Sequence, residues 1–215
     1  MLVLEKAGLV FLANPKTATQ SLRTMLAPFA QATPKGTEHK HINAQTYDRI
    51  WASRIARKLG TPAQTVAVMR EPLEHLGSWF RYRQRDALRG HENSTKDLTF
   101  AEFVAAQLSE DPPPFARIGR QDRFLGFLNS GPAVTYIFDH TDLSRLVDFL
   151  ASRLDAKLSL PRRNVSFETN AADLMLPADL LAQFQTAHAT EFALYDRVRQ
   201  SGMLHTAAPR GAVVE

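Results

Sequence analysis

The chain has 215 residues, 44% of them hydrophobic, and its 26 lysines and arginines exceed its 22 acids, for a net charge of +4. That length supports one substantial core, so we expect one domain over residues 1–202 and a flexible tail over residues 203–215. The lack of cysteine excludes disulfides and thiolate metal sites. No apolar run approaches the roughly 20 residues that span a bilayer, so we expect a soluble, cytoplasmic protein without a membrane span.

The basic excess is mild and scattered along the chain, which favours an anionic ligand. Zinc-ligand spacing, aromatic RNA-binding signatures and a basic heptad segment are missing from the sequence, so we predict no nucleic-acid partner. We also predict no bound metal, because no acidic metal cluster is evident.

The first predicted unit is a strand, a loop and a helix. Residues 9–13 (LVFLA) are a short, continuously apolar run, which is typical of a strand buried on both faces. A polar loop with Pro15 and Lys16 follows, and helical spacing of apolar residues begins near Gln20. Strand, loop and helix in this order form half of a βαβ unit.

The second unit has the same order. A helix is predicted from aromatic and aliphatic residues spaced four apart: Tyr47, Trp51, Ile55 and Leu59. Gly60 ends it, and residues 65–69 (TVAVM) are the next buried-strand candidate. Arg70 and Glu71 then lead into a helix over residues 73–88, with Pro72 in a position that suits a first helical turn.

The third unit follows a shorter helix. Thr99 and Glu102 form a capping-box pattern for a helix within residues 97–109, and residues 111–114 (DPPP) break the chain. A helix over residues 122–128 precedes a third strand over residues 133–138 (AVTYIF). Beyond that strand, Thr141 or Asp142 caps another helix, and a long helix over residues 177–199 closes the domain.

Strands that alternate with helices predict an α/β fold with three layers, α/β/α, around a mostly parallel sheet. Ligands bind such sheets at the carboxyl ends of the strands. Residues 14–19 and 70–72 leave the first two strands at those ends, so both loops are candidates for one site.

The first loop has the features of an anion site. Amides at a helix start lack intrahelical partners and carry the positive end of the helix dipole. Thr17, Thr19 and Ser21 add hydroxyl donors to these amides, and Lys16 adds a positive charge. The segment lacks both glycines of the Walker A pattern G-x-x-x-x-G-K-[ST], so it matches an ordinary ATP-binding loop poorly. The alternative is that Lys16 is a solvated loop charge.

The second loop offers a guanidinium to a phosphate. Arg70 ends the second strand, and the hydroxyl of Ser78 lies two turns into the following helix, within reach of the same anion. Two phosphate sites on neighbouring loops predict a nucleoside ligand with phosphates at both ends. The alternative is a structural ion pair between Arg70 and Glu71 or Glu74.

These residues resemble the motifs of the sulfotransferase family, with closest similarity to bacterial and carbohydrate-directed members. Residues 15–22 (PKTATQSL) resemble the 5′-phosphosulfate loop PKTGTTSL, although Ala18 replaces the usual glycine and Gln20 a threonine or serine. Arg70 and Pro72, with Ser78, resemble the 3′-phosphate motif. Weaker similarity is found in three further segments: 138–143 (FDHTDL), 160–166 (LPRRNVS) and 191–198 (EFALYDRV).

The resemblance implies a P-loop NTPase-like fold and the donor 3′-phosphoadenosine 5′-phosphosulfate, with adenosine 3′,5′-bisphosphate as product. The acceptor it implies is a hydroxyl group on a carbohydrate or another small molecule. Lys16 is expected to stabilise the leaving phosphate oxygen. The donor-binding residues that the resemblance implies are Pro15, Lys16, Thr17, Ala18, Thr19, Gln20, Ser21, Arg70 and Ser78.

A histidine suits the role of the base that takes the acceptor proton. His41 is our candidate, because Lys40 and His41, followed by Ala44, resemble a KH-x-x-A segment of carbohydrate-directed relatives. Glu38 and His39 are alternatives, and a surface role for His41 also stays open.

Two rival functions remain from the sequence: a P-loop kinase-like phosphotransferase and a non-catalytic nucleotide-binding relative. Arg162 and Arg163 either contact the ligand or form a solvated basic turn. Helical spacing places Trp79, Phe80 and Tyr82 in the core rather than in the site. The sequence does not specify the oligomeric state.

Overall fold

The fold is that of a computed structural model, which describes residues 1–31, 40–127, 133–161 and 174–206. Within these ranges, five strands form one open sheet in the order β1-β2-β3-β4-β5. The strands are β1 (Leu2–Leu4), β2 (Leu9–Phe11), β3 (Gln64–Met69), β4 (Tyr136–Asp139) and β5 (Met203–His205).

The sheet is mixed, whereas the sequence predicted a mostly parallel one. Strands β2, β3 and β4 run parallel, and β1 and β5 pair antiparallel at the two edges. Each edge strand has three residues, which is too short for a periodic pattern to reveal. The parallel centre supplies the three carboxyl ends that matter for a ligand site.

Helices lie between and after the strands. In chain order they are α1 (Thr19–Leu26), α2 (Ala44–Tyr47), α3 (Ser53–Leu59), α4 (Pro72–Arg83), α5 (Phe100–Gln107), α6 (Gln121–Phe124), α7 (Leu143–Leu154), α8 (Ala178–Ala187) and α9 (Ala189–Ser201). A π-helical turn over Asp48–Ala52 joins α2 to α3. No helix in the described ranges combines the length and the apolar character that a membrane crossing requires.

The π-helical turn explains the four-residue spacing seen in the sequence. On a helix of 3.6 residues per turn, side chains four apart drift by about 40° at each step. The wider turn offsets that drift, so Tyr47, Trp51 and Ile55 all remain in one buried cluster.

The sheet has apolar cover on both faces, which confirms the general α/β prediction. Along β2, Leu9 and Phe11 pack toward α1 and α7, whereas Val10 packs on the opposite face with α3 and α9. Successive strand residues point to opposite faces, so two buried faces need the continuously apolar strands found in the sequence.

A third apolar cluster holds α4 beside the sheet. Phe80 of α4 packs against Phe100 and Phe103 of α5, with Phe184 of α8 in the same buried group. Helix α5 begins with the predicted capping box, since the Thr99 hydroxyl accepts from the Glu102 amide and the Glu102 carboxylate accepts from the Thr99 amide. This packing determines where the polar residues of α4 lie.

Several predicted boundaries are wrong, and one is the end of α4, which was predicted at residue 88 and lies at Arg83. The helix predicted over residues 177–199 is two helices that meet at His188, whose ring bonds Glu191 and Gln107. The helix predicted over 122–128 is the single turn α6. The predicted tail begins too early, because residues 203–205 form β5 against β4.

Candidate anion site

The first loop contains two residues in a conformation that normally favours glycine. Lys16 has φ 64° and Ala18 has φ 57°, both in the left-handed region. For a residue with a Cβ atom this costs about 1–2 kcal/mol each. The loop therefore adopts a glycine-like shape without glycine, at the expense of stability, and strain of this kind clusters at functional sites.

Helix α1 begins directly after this strained turn. Its N-cap is Ala18, which has no side-chain capping bond, so no cap side chain occupies the amides of the first turn. Thr17 is buried and donates its hydroxyl to the Asn14 carbonyl at 2.8 Å. Thr19 and Ser21 are also buried, whereas Gln20 is exposed. The positive end of an eight-residue helix thus lies next to Lys16.

The second loop lies at the end of the neighbouring parallel strand. Arg70 follows β3, and its Nη2 atom lies 3.1 Å from Oε2 of Glu74. Pro72 is in the first turn of α4, and Glu71 caps this helix by accepting from the Glu74 amide. Ser78 is buried on the same helix. The predicted pairing of the two loops at one edge of the sheet is therefore found.

A buried amide network joins the two loops. The Asn14 side chain donates to the Val68 carbonyl at 2.9 Å and to Oε1 of Gln121 at 3.0 Å. Gln121 pairs with both main-chain groups of Arg70, accepting from its nitrogen at 3.0 Å and donating to its oxygen at 2.8 Å. It also donates from Nε2 to Glu191 at 3.1 Å. The Gln121 amide thereby uses both donors and accepts twice, which is its full capacity.

The ammonium group of Lys16 lies against aromatic rings. Its Nζ atom is 4.4 Å from the centre of the Tyr82 ring and 5.7 Å from that of Trp79. Such contacts stabilise a cation that has lost part of its hydration. Tyr82 is exposed beside Lys16, which corrects the expectation that helical spacing places it in the core. Trp79 is half-buried and packs on the third apolar cluster as well as on Lys16, and Phe80 is buried as predicted.

Positive charges converge around Lys16. Burial, and then the charges of Arg85, Arg70 and Arg81, together lower the pKa of Lys16 to about 8. Four cationic side chains within mutual range raise one another's electrostatic energy, and a bound anion relieves that repulsion. The cluster formed by Lys16, Arg70, Arg81 and Arg85 is thus a candidate site for an anionic ligand.

Two histidines at this edge are neutral. His75 is buried on α4, and burial is the main cause that lowers its pKa to about 4. Its Nε2 atom therefore carries the proton and donates to the Pro15 carbonyl at 3.1 Å, which ties α4 to the first loop. His140 follows β4, and burial, then the charge of Arg70, lowers its pKa to about 4.

His41 lies against the end of the same strand that leads to Lys16. Its Nδ1 atom donates to the Ala13 carbonyl at 2.7 Å, which leaves Nε2 as the acceptor in the neutral ring. Partial burial is the main cause that lowers the pKa of His41. The alternatives Glu38 and His39, and the pair Arg162 and Arg163, lie outside the described residues.

Sequence reasoning missed the side chains that organise the site. Asn14 directly follows an apolar run, and a polar residue at that place is only a weak sequence signal for a site. Its hydrogen-bond partner Gln121 lies 107 residues away in sequence. Nothing local marks Gln121 as a partner of Arg70, because only the folded sheet brings them together. Arg81 and His75 lie on α4 without a local sequence signal, because helical spacing does not show which polar side chains of a helix are buried or point toward a site.

Comparison with known proteins adds no relative: no family model, curated protein or solved structure matches the chain. Function must therefore be inferred from the geometry and charge of the site.

The amide network predicts a large effect for Gln121→Met. The methionine is of similar size but leaves the main chain of Arg70 and part of Asn14 without partners, and each unsatisfied buried group costs about 1–3 kcal/mol. We expect urea unfolding to show a loss of about 3 kcal/mol or more. The control Gln183→Met, at an exposed position of α8, should change stability by less than about 0.5 kcal/mol. A similarly small effect for Gln121→Met would contradict the role of the network.

The buried neutral state of His75 predicts a pH-dependent stability. Its pKa lies below the ordinary 6.5, so the unfolded chain binds the proton more readily than the folded protein. The stability contribution is complete above pH 6.5 and falls by about 3 kcal/mol as the pH drops to about 4. Wild type should therefore lose about that much more stability than His75→Gln over this window, measured by urea unfolding. Parallel profiles for the two proteins would show that the ring is not held neutral.

Proposed function

We propose that the protein transfers a sulfuryl group from 3′-phosphoadenosine 5′-phosphosulfate to a hydroxyl group of a carbohydrate or another small molecule. The observation that carries this proposal is the joining of two anion-binding loops, one with Lys16 and one with Arg70, through Gln121 at the carboxyl edge of adjacent parallel strands. Two linked anion sites suit a nucleoside with phosphate at both ends. The sequence resemblance to sulfotransferases supports the same assignment, and with it a P-loop NTPase-like fold.

The first loop is assigned to the 5′ end of the donor. The main-chain amides of residues 17–21 and the hydroxyls of Thr19 and Ser21 surround the 5′-phosphosulfate, and Ala18 provides the turn. The hydroxyl of Thr17 donates to the Asn14 carbonyl, so Thr17 contributes its main-chain amide to the donor and its side chain to the shape of the loop. Pro15 holds the loop against α4 through His75. Gln20 has an exposed side chain and contributes only its main-chain N–H group. Lys16 adds the charge that compensates the leaving oxygen.

The second loop is assigned to the 3′ end. Arg70 offers a planar guanidinium whose side chain is 17% exposed, so it is largely shielded from competing water. Ser78 lies one helical turn beyond Glu74 on the same side of α4 and adds a hydroxyl donor. Together, Arg70 and Ser78 bind the 3′-phosphate, which adenosine 5′-monophosphate lacks.

The reaction is an in-line displacement at sulfur, analogous to phosphoryl transfer. The acceptor oxygen forms a bond to sulfur as the bond between sulfur and the 5′-phosphate oxygen breaks. Lys16 stabilises the charge on that departing oxygen. The acceptor proton passes to Nε2 of His41, which is the open nitrogen of a neutral ring. The products are a sulfate ester, adenosine 3′,5′-bisphosphate and protonated His41.

Aromatic rings beside Lys16 favour a ring-shaped acceptor. Trp79 and Tyr82 meet edge to face with their centres 5.9 Å apart, and Tyr82 is 38% exposed. Because both rings contact the lysine that is assigned to the transferred group, an acceptor that approaches this group also meets them. Large, rigid rings of this kind provide contact area for a sugar or phenol at low entropic cost.

Measurements of nucleotide binding and of sulfuryl transfer should distinguish the role of Lys16 from that of an exposed lysine. Adenosine 3′,5′-bisphosphate should raise the melting temperature of the wild type, because it binds the folded state alone. Lys16→Met should keep the fold but lower sulfuryl transfer from labelled donor on the order of 10²–10³-fold. Lys157→Met, at an exposed position, is the control. Stabilisation by ATP with magnesium and not by the bisphosphate would favour a phosphotransferase, and full activity in Lys16→Met a non-catalytic role for the site.

The lowered pKa of Lys16 predicts an alkaline limit. The protonated form is the active one, and its pKa lies near 8, so kcat/KM for the donor should fall as the pH rises above about 8. In Lys16→Arg the guanidinium stays charged, so the alkaline fall should disappear up to about pH 10 even if the maximum rate is lower. An identical alkaline fall in both proteins would assign the titration to another group.

A further inference from the structure

Arg81 is an arginine with unmet hydrogen-bonding capacity. Its Nε atom is buried and has no hydrogen-bond partner among the described residues. The nearest recorded carboxylate is that of Glu74, whose Oε2 atom lies 4.0 Å from Nη2, too far for a hydrogen bond. Its side chain is only 15% exposed. A guanidinium that is buried without good partners is costly, so its position needs an explanation beyond packing.

The direction of the Arg81 side chain explains why its guanidinium is buried. Gly77 has no side chain, and Nη1 of Arg81 lies 3.7 Å from the place that a Cβ atom would take there. Arg81 therefore folds back along α4 past Gly77 toward Glu74. Its guanidinium lies near that of Arg70, because both groups approach the same Glu74 carboxylate.

Two guanidinium groups thus share one carboxylate oxygen. Oε2 of Glu74 is 3.1 Å from Nη2 of Arg70 and 4.0 Å from Nη2 of Arg81. The Glu74 side chain is 54% exposed, and ion pairs with an exposed partner contribute little to stability because water and salt screen them. The carboxylate is therefore easily displaced by an anion of higher charge.

The charge balance leaves room for such an anion. One carboxylate faces Arg70 and Arg81, while Lys16 and Arg85 add further positive charge nearby. A phosphate dianion has more charge and more acceptor atoms than a carboxylate, and guanidinium groups bind it with paired hydrogen bonds.

We propose that Arg81 is a third ligand of the donor's 3′-phosphate, beside Arg70 and Ser78, and that Glu74 occupies the place of that phosphate in the free protein and competes with it. This inference rests on the proposed function and adds to it a residue that determines donor specificity. On ligand binding, Glu74 moves toward solvent and the unmet Nε–H of Arg81 gains an acceptor. Glu74 thereby lowers donor affinity and protects the cation cluster from repulsion in the free state.

The test is calorimetric binding of adenosine 3′,5′-bisphosphate and of adenosine 5′-monophosphate, which lacks the 3′-phosphate. In Arg81→Met, affinity for the bisphosphate should fall about 10–100-fold, as expected for lost charge-assisted hydrogen bonds. Affinity for the monophosphate should change by less than about twofold, so the ratio of the two affinities is the diagnostic quantity. Arg57→Met, at an exposed position of α3, should leave both affinities unchanged.

Glu74→Gln supplies an independent readout. Removal of the competing charge should raise bisphosphate affinity about threefold to tenfold, with little effect on the monophosphate. Glu92→Gln, at an exposed position, is its control. If Arg81→Met fails to fold, Arg81→Lys keeps the charge but lacks the planar fork, and it should weaken bisphosphate binding selectively.

The outcomes distinguish this inference from the function on which it rests. A wild type that binds neither nucleotide overturns the proposed function as well. A wild type that prefers the bisphosphate, with the same preference in both Arg81 variants, overturns the role of Arg81 alone. Equal weakening of both nucleotides has the same consequence, because it indicates a structural effect. Unchanged or reduced bisphosphate affinity in Glu74→Gln overturns the role of Glu74.

Discussion

The fixed relation between two loops depends on the buried side-chain amide of Gln121. It accepts from Asn14 on the first loop and from the main chain of Arg70 on the second, and it donates to Arg70 and to Glu191. A buried side-chain amide that lacked one hydrogen bond would destabilise the fold, but all four of its hydrogen bonds are formed here. The network is therefore stable in only one arrangement, and that arrangement sets the spacing between Lys16 and Arg70.

Several features near this network lower the stability of the free protein. Lys16 and Ala18 have left-handed backbones, and Arg81 keeps a buried Nε without a partner in the described part of the chain. Burial and the nearby charges of Arg85, Arg70 and Arg81 lower the pKa of Lys16. Each feature costs energy in the free protein, and the proposed anion would relieve the repulsion between the charges. The apolar clusters on both faces of the sheet and around α4 offset these costs.

The sequence predicted the parts of the structure that depend on local patterns. Continuous apolar runs located β2 and β3, and the capping box located α5, because burial on both faces and helix capping both act over a few residues. The position of the loops after β2 and β3 at one edge of the sheet followed from the predicted alternation of strands and helices. The site residues predicted on these loops, from Lys16 to Ser21 and at Arg70, lie at one edge of the sheet as expected.

Other features depend on contacts that no local pattern records. Edge strands β1 and β5 are formed by pairing with their neighbours, and the break at His188 depends on bonds to Glu191 and Gln107. Tyr82 has the spacing of a core residue, yet its ring is exposed beside Lys16, while Phe80 fills the apolar cluster and Trp79 contacts both the cluster and Lys16. Tertiary packing decides these cases.

Whether one ligand bridges the two loops can be measured by titrating ¹⁵N-labelled protein with adenosine 3′,5′-bisphosphate and following the amide signals by NMR. If it does, the signals of residues 16–21 and of residues 70–78 should shift together and saturate with the same dissociation constant. Shifts confined to one loop, or two different dissociation constants, would contradict a bridging ligand.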